Sequence, residues 1–114
     1  MQYLLQIIGF TDADFAEGEG PTAEEFMAWQ QALTDEAVLV SGGFLDDYQL
    51  ATSVQVSRAG ERTITNGPFP ESREYLGGWS IIDVPDLDSA LDWATRCPGA
   101  KYGRVEVRPV MGWS

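Results

Sequence analysis

Apolar and polar residues alternate along this chain with two different periods, and the changes of period predict its elements. Residues 3–8 form a mostly apolar run, which is typical of a central strand. Thr22 then opens a helix, because Glu25 stands three residues later and completes a capping-box pattern. Apolar residues recur behind it at helical spacing and predict a sheet-facing stripe of Phe26, Trp29 and Leu33.

The middle of the chain predicts two further β segments. Residues 38–45 read as a second strand, in which Gly42-Gly43 indicates a bulge or a close approach of another backbone. Residues 52–57 alternate polar with apolar positions, Ala59-Gly60 turns the chain, and residues 62–65 return, as in a β-hairpin. Residues 11–21 and 66–70 are rich in glycine, proline and polar residues and predict loops.

The last third predicts strand, helix and strand. Residues 71–76 favour a helical turn ended by Gly77-Gly78, and residues 79–84 favour a strand. Asp86 is the expected cap of a helix that Pro98-Gly99 ends, and residues 103–110 alternate as a final strand. The apolar stripe of this helix is predicted as Leu87, Ala90, Leu91 and Ala94.

The predicted order is β-α-β, a hairpin insertion, and a second β-α-β, which is the pattern of a ferredoxin-like α+β fold. Such a fold has an antiparallel sheet with its helices on one face. The other face then stays uncovered, and in a single domain of residues 1–114 a second copy of the chain is the simplest cover. The sequence therefore predicts a homodimer.

Composition and charge exclude several classes of function. The formal net charge of −11 opposes binding to nucleic acid or to an acidic membrane surface. Histidine is absent and Cys97 is the single cysteine, so a zinc site or a histidine-activated nucleophile is not expected, and no cofactor is predicted. The sequence has a lone cysteine and lacks an apolar run long enough to span a membrane. Its N-terminus has no basic leader, and together these features predict a cytoplasmic protein.

Three stretches resemble one known family, and one of them is the predicted helix of residues 90–94 that runs into Cys97-Pro98. Residues 65–79, Thr-Asn-Gly-Pro-Phe-Pro-Glu-Ser-Arg-Glu-Tyr-Leu-Gly-Gly-Trp, resemble the segment that names the YCII-related (DGPF) proteins, and residues 103–110 are similar to that family's closing strand. The resemblance implies a dimeric α/β-barrel, in which two sheets pack face to face, and a regulatory setting for some members. Asn66 stands where the family usually has aspartate, and an amide cannot act as a general base.

The segment around Asn66 is the first candidate site. Asn66, Gly67 and Phe69 are candidate ligand contacts at the mouth of a cleft, although asparagine before glycine is also a common turn and Phe69 can simply fill the core. Arg73 is a candidate contact for a charged ligand group, and its alternative role is an exposed ion pair with Glu71 or Glu74.

The second candidate site lies on the strands. Strand alternation places Arg104, Glu106 and Arg108 on one face, and Asp83 on a face with Trp79 and Ile81. Asp83 and Glu106 are the candidate acid/base residues and Arg108 a candidate carboxylate clamp, while a structural ion-pair network across the dimer is the alternative. The remaining chemistry-bearing side chains are interpreted as structural: Trp29, Trp79, Trp93 and Trp113 as core or interface residues, and Cys97 as an inert thiol.

Two functions of different class remain open. The first is a homodimer that binds a small molecule, or acts in regulation, without catalysis. The second is a small lyase or isomerase that transfers protons through Asp83 or Glu106 in a cleft of the dimer. The missing histidine and the asparagine at position 66 favour the first.

Overall fold

A computed structural model describes residues 1–9, 20–67 and 75–112 of the chain. Six strands and three helices occur in these ranges, together with one 3-10 turn at Tyr48–Leu50. In chain order they are β1 (Gln2–Ile8), α1 (Ala23–Asp35), β2 (Leu39–Phe44), β3 (Thr52–Val56), β4 (Arg62–Asn66), β5 (Leu76–Asp83), α2 (Leu87–Arg96), α3 (Gly99–Tyr102) and β6 (Arg104–Pro109).

Four strands form the main sheet in the order β2-β5-β1-β6, and every neighbouring pair is antiparallel. Strands β3 and β4 form a separate antiparallel hairpin, inserted in the chain between β2 and β5. The predicted ferredoxin-like α+β fold with a hairpin insertion is confirmed.

Both long helices begin at the caps that the sequence predicts. The Thr22 hydroxyl accepts a hydrogen bond from the Glu25 N–H at 3.2 Å, and the Glu25 carboxylate accepts one from the Thr22 N–H at 3.3 Å. Asp86 accepts a hydrogen bond from the Ser89 N–H at 2.9 Å and caps α2. Each cap satisfies amide donors that the first helical turn leaves without partners.

The core lies between the helices and one face of the sheet. Trp29 and Leu33 of α1 are buried there with Leu5 of β1 and Ile82 of β5. The Trp29 indole N–H donates to the Trp93 carbonyl at 3.0 Å, which ties α1 to α2 within this layer. The polar edge of a large apolar side chain is thereby satisfied where water is excluded.

The stripe predicted for α2 is partly wrong. Ala90 and Ala94 are buried as expected, but Leu87 and Leu91 are 48% and 43% exposed, and Trp93 is buried instead. The buried face of α2 is therefore formed by Ala90, Trp93 and Ala94, and its leucine side faces outward.

Three local predictions also change. The irregularity in β2 lies between Leu39 and Ser41, and not at Gly42-Gly43. Gly77-Gly78 does not end a helix but belongs to β5, while residues 71–74 of the predicted turn lie outside the described residues. The chain also turns once more after Pro98 and forms the short helix α3.

Candidate functional site

The face of the sheet that points away from the core is the first candidate site, and we call it the open face. Along β5 the buried positions alternate with less buried ones, so that Trp79, Ile81 and Asp83 point away from the core. The side chains on this face come from all four strands: Gln2, Leu4 and Gln6 of β1, Ser41 and Gly43 of β2, Trp79, Ile81 and Asp83 of β5, and Arg104, Glu106 and Arg108 of β6.

Strand register arranges the open face in two central rows. Leu4 pairs with Ile81 on one side and with Arg108 on the other. Gln6 pairs in the same way with Trp79 and with Glu106. Three apolar side chains, Leu4, Trp79 and Ile81, therefore lie with Gln6 in the middle of the face, and the charged side chains of β6 lie along one edge.

Trp79 lies across the neighbouring strand. A Cβ atom placed on Gly43 would meet carbon atoms of the Trp79 ring at 2.7 and 2.9 Å. The glycine at this position thus leaves room for the indole to lie over β2. At Gly42 the neighbour is backbone, as the sequence suggested, because a Cβ atom there would lie 3.1 Å from the Trp79 carbonyl oxygen.

The two candidate acid/base carboxylates are apart within one protomer. Asp83 forms an ion pair with the terminal ammonium of Met1 at 2.8 Å, and its side chain is 58% exposed. Glu106 pairs with Arg104 at 3.4 Å and is 42% exposed. Asp83 is in register with Gln2 and Glu106 with Gln6, so standard strand spacings separate the carboxylates by roughly 17 Å. Arg108 is exposed between these two positions along the sheet.

Asn66 and Gly67 lie at the base of the hairpin and not on the main sheet. Asn66 ends β4 opposite Thr52, and it is exposed. Gly67 has a φ of 82° and donates its N–H to the Ala51 carbonyl at 2.6 Å. The left-handed backbone conformation is the physical reason for a glycine here. Phe69 and Arg73 lie outside the described residues, as do Glu71, Glu74 and Trp113.

A cavity on the other side of the sheet was not predicted from the sequence patterns. It has a volume of about 440 Å³, and the described residues that line it are Ile7, Ala23, Phe26, Met27, Phe44 and Gly77. They come from α1 and from three strands that are distant in sequence. Only the helical spacing of Phe26 gave a signal, and that signal predicts a core position rather than a cavity wall.

Cys97 lies in the core at the end of α2 and is only 2% exposed. Burial raises the pKa of its thiol, because the thiolate would lose hydration there. This supports the interpretation of Cys97 as an inert thiol. Trp29 and Trp93 are buried in the core, as the sequence suggested, while Trp79 belongs to the open face.

Within residues 1–9, 20–67 and 75–112, no group of three Asp, Glu or Cys side chains is placed to hold a metal ion. In the same part of the chain, no helix has the length and apolarity needed to cross a membrane.

The fold and the open face define an α+β protein of the ferredoxin-like class with an inserted hairpin. A family model of the YCII-related domain matches residues 1–114, and the chain belongs to the YCII-related family. An uncharacterised protein of Rhizobium meliloti (strain 1021) is 44% identical over 54 residues, which cover 46% of this chain. The match spans 44% of that relative's own length.

Proposed function

We propose that the protein is a cytoplasmic homodimer formed through its open faces, and that it binds a small molecule in a regulatory role without catalysis. The observation that carries the dimer is the open face itself, where Leu4, Trp79 and Ile81 lie together at the centre of a sheet whose helices pack on the other side. Apolar groups in such an arrangement are stabilised by cover that keeps water out.

Charge supports a second copy as that cover. The chain carries a net charge of −11, so two copies repel each other over most of their surfaces. On the open face, however, the two arginines of β6 balance Glu106 and Asp83. Two copies can therefore meet there without adding like charge, and Arg108 of one protomer is free to pair with a carboxylate of the other.

The area that a stable dimer needs points to a contribution from the hairpin. Four strands of about six residues give a flat footprint of roughly 380 Å², whereas a standard interface buries about 800 Å² of accessible surface per partner. One side of the hairpin carries exposed Val54, Val56 and Ile64, and Val54 pairs directly with Ile64. An isolated two-stranded hairpin is marginally stable in water, so a second protomer that covers these residues stabilises both.

The absence of catalysis rests on the chemistry of the candidate residues. The chain has no histidine, and Asn66 has no acid/base capacity near neutral pH. The carboxylates of Asp83 and Glu106 are each ion-paired and more than two-fifths exposed. A general acid with a raised pKa usually needs the opposite environment, which is dry and lacks a cationic neighbour.

The single buried cysteine suits the reducing cytoplasm.

Sedimentation equilibrium at micromolar concentration tests the dimer. We expect twice the 12.5 kDa chain mass for the unmodified protein and for the control variant Leu91→Arg, which changes an exposed leucine of α2. Ile81→Arg places a charge at the centre of the open face and is expected to sediment as a monomer. An unmodified protein that stays monomeric at tens of micromolar contradicts the dimer, and turnover of a substrate that Asp83→Asn or Glu106→Gln abolishes contradicts the non-catalytic role.

A further inference from the structure

We infer that the cavity between α1 and the sheet, which we call the apolar cavity, is a binding site for a neutral, apolar small molecule. This inference rests on the proposed binding role and names its ligand class. The cavity lies on the helix side of the sheet, so it is separate from the open face and from Asn66.

Two walls form the cavity. Ile7 of β1, Phe44 of β2 and Gly77 of β5 make the sheet wall, and the first turns of α1 make the other. The rings of Phe26 and Phe44 meet edge to face across it, with centroids 5.3 Å apart. Aromatic pairs of this geometry are favourable beyond the area they bury, so the contact helps to hold the walls in place.

Close packing limits the cavity behind Ile7. A Cβ atom on Gly99 would come within 2.6 Å of the Ile7 Cγ2 and 3.6 Å of the Phe26 ring. Here α3 lies directly against the wall, and no space is left. At Gly77 the nearest described atom to an added Cβ would be the Ile7 carbonyl oxygen at 3.8 Å. As far as the described residues show, the space is thus open along the β5 side.

The volume fits a small organic molecule. About 440 Å³ falls within the range of about 300–1,000 Å³ that ligand pockets occupy. It is about three times the volume of an engineered cavity that binds benzene. Two fused aromatic rings with a substituent, or a medium-length alkyl chain, match this size.

The lining selects a ligand without charge. Nearly all of the described lining surface is apolar, and no charged side chain contributes to it. Two polar side chains at the start of α1, Thr22 and Glu25, are engaged in the capping box. Among the described lining residues a buried anion would find no cationic partner, and the net charge of −11 opposes its approach.

Exposed apolar side chains at the rim of the cavity are the expected source of favourable free energy on ligand binding. Met27 is 67% exposed and Phe44 is 50% exposed, so large apolar side chains beside the cavity face water. A ligand in the cavity covers part of both. Methionine suits such a rim because its unbranched thioether adapts to ligands of different shape.

Methyl NMR of 13C-methionine-labelled protein tests the site with the neutral probe N-phenyl-1-naphthylamine. The chain has three methionines, and Met27 alone among them lines the cavity, so Met1 and Met111 serve as internal controls. We expect a saturable shift of the Met27 methyl signal, with the other two signals unchanged. Equal shifts at all three methionines, or no saturable shift up to the solubility limit of the probe, overturn the inference.

A matched pair of variants adds a second readout. Met27→Gln is expected to weaken probe binding about five- to tenfold, since it removes apolar surface that the ligand covers. Met111→Gln changes an even more exposed methionine, 76% exposed, and is expected to bind like the unmodified protein. Equal affinities of the two variants contradict the assignment.

The same measurements separate this inference from the proposed dimer. The Ile81→Arg variant changes only the open face, so it is expected to keep the Met27 shift even as a monomer. If the protein is a dimer and the Met27 signal does not shift with the probe, the cavity site is contradicted and the dimer is supported. If the unmodified protein is a monomer and its Met27 signal shifts saturably, the dimer is contradicted and the cavity site is supported.

Discussion

Ser80 gives the sharpest stability prediction of this fold. Its side chain is fully buried on the helix side of β5, in register with Leu5. Its hydroxyl oxygen has no hydrogen-bond partner among the described residues. A buried hydroxyl without a partner costs about 1–3 kcal/mol of folding free energy. Ser80→Ala removes that cost and loses only the packing contacts of one atom, which are worth a few tenths of a kcal/mol. We therefore expect the variant to be more stable by about 1–2 kcal/mol.

Urea unfolding followed by tryptophan fluorescence measures this gain. For a chain of this size a slope of about 1.5 kcal/mol per molar urea is typical, so the midpoint should rise by roughly 0.7–1.3 M. All proteins are compared at one protomer concentration, because a dimer's apparent stability depends on it. Ser89→Ala is the matched control, since the Ser89 hydroxyl donates to Asp86 at 2.8 Å and its removal should give no gain.

A midpoint for Ser80→Ala at or below that of the unmodified protein contradicts an unsatisfied hydroxyl at Ser80. It would mean that the hydroxyl is satisfied in solution, by water or by another group, and that the serine contributes to the core. If the unfolding midpoint of Ser89→Ala rises as much as that of Ser80→Ala, the gain does not come from the burial of the Ser80 hydroxyl.

Two other changes test the packing of Gly43 and the environment of Cys97. Gly43→Val forces the Trp79 ring off β2, so we expect a loss of about 1 kcal/mol of stability and an altered tryptophan emission. Gly112→Ala is the control and should change neither, because a Cβ atom there meets no described atom within 4 Å. Identical emission of Gly43→Val and the unmodified protein would show that the ring does not lie over β2. Cys97 should react with iodoacetamide at least about tenfold more slowly than free cysteine at pH 8, because burial raises its pKa and keeps the thiol protonated. Since the unfolded chain loses this proton first, near pH 8.5, the free energy of unfolding should fall as pH rises above that value, and less so in Cys97→Ala. Rapid alkylation of the folded protein would contradict the buried thiol.

Local signals in the sequence predicted most of the fold. The capping box at Thr22 and Glu25 fixed the start of α1, because it depends on residues three apart. The alternation of β6 placed Glu106 and Arg108 on one face for the same local reason. The family resemblance through residues 65–79 agrees with the family match over the whole chain.

Features that depend on register or on several elements could not be predicted. Period-two alternation shows which residues of one strand share a face, but only strand pairing shows that Asp83 and Glu106 lie on the same face and roughly 17 Å apart. The apolar cavity needs Met27 of α1 beside Phe44 of β2, and neither position has a distinctive local pattern. The orientation of α2 depends on how Trp93 reaches the core, which helical spacing alone does not determine.

The hairpin leaves and rejoins the rest of the chain at nearly one point, because Gly67 is hydrogen-bonded to Ala51. Among the described strands, β3 and β4 pair only with each other. Substitutions between residues 52 and 66 can therefore accumulate without shifting the register of the four-stranded sheet. In evolution, such a segment lets duplicated copies of one domain acquire separate partners while their common core stays the same.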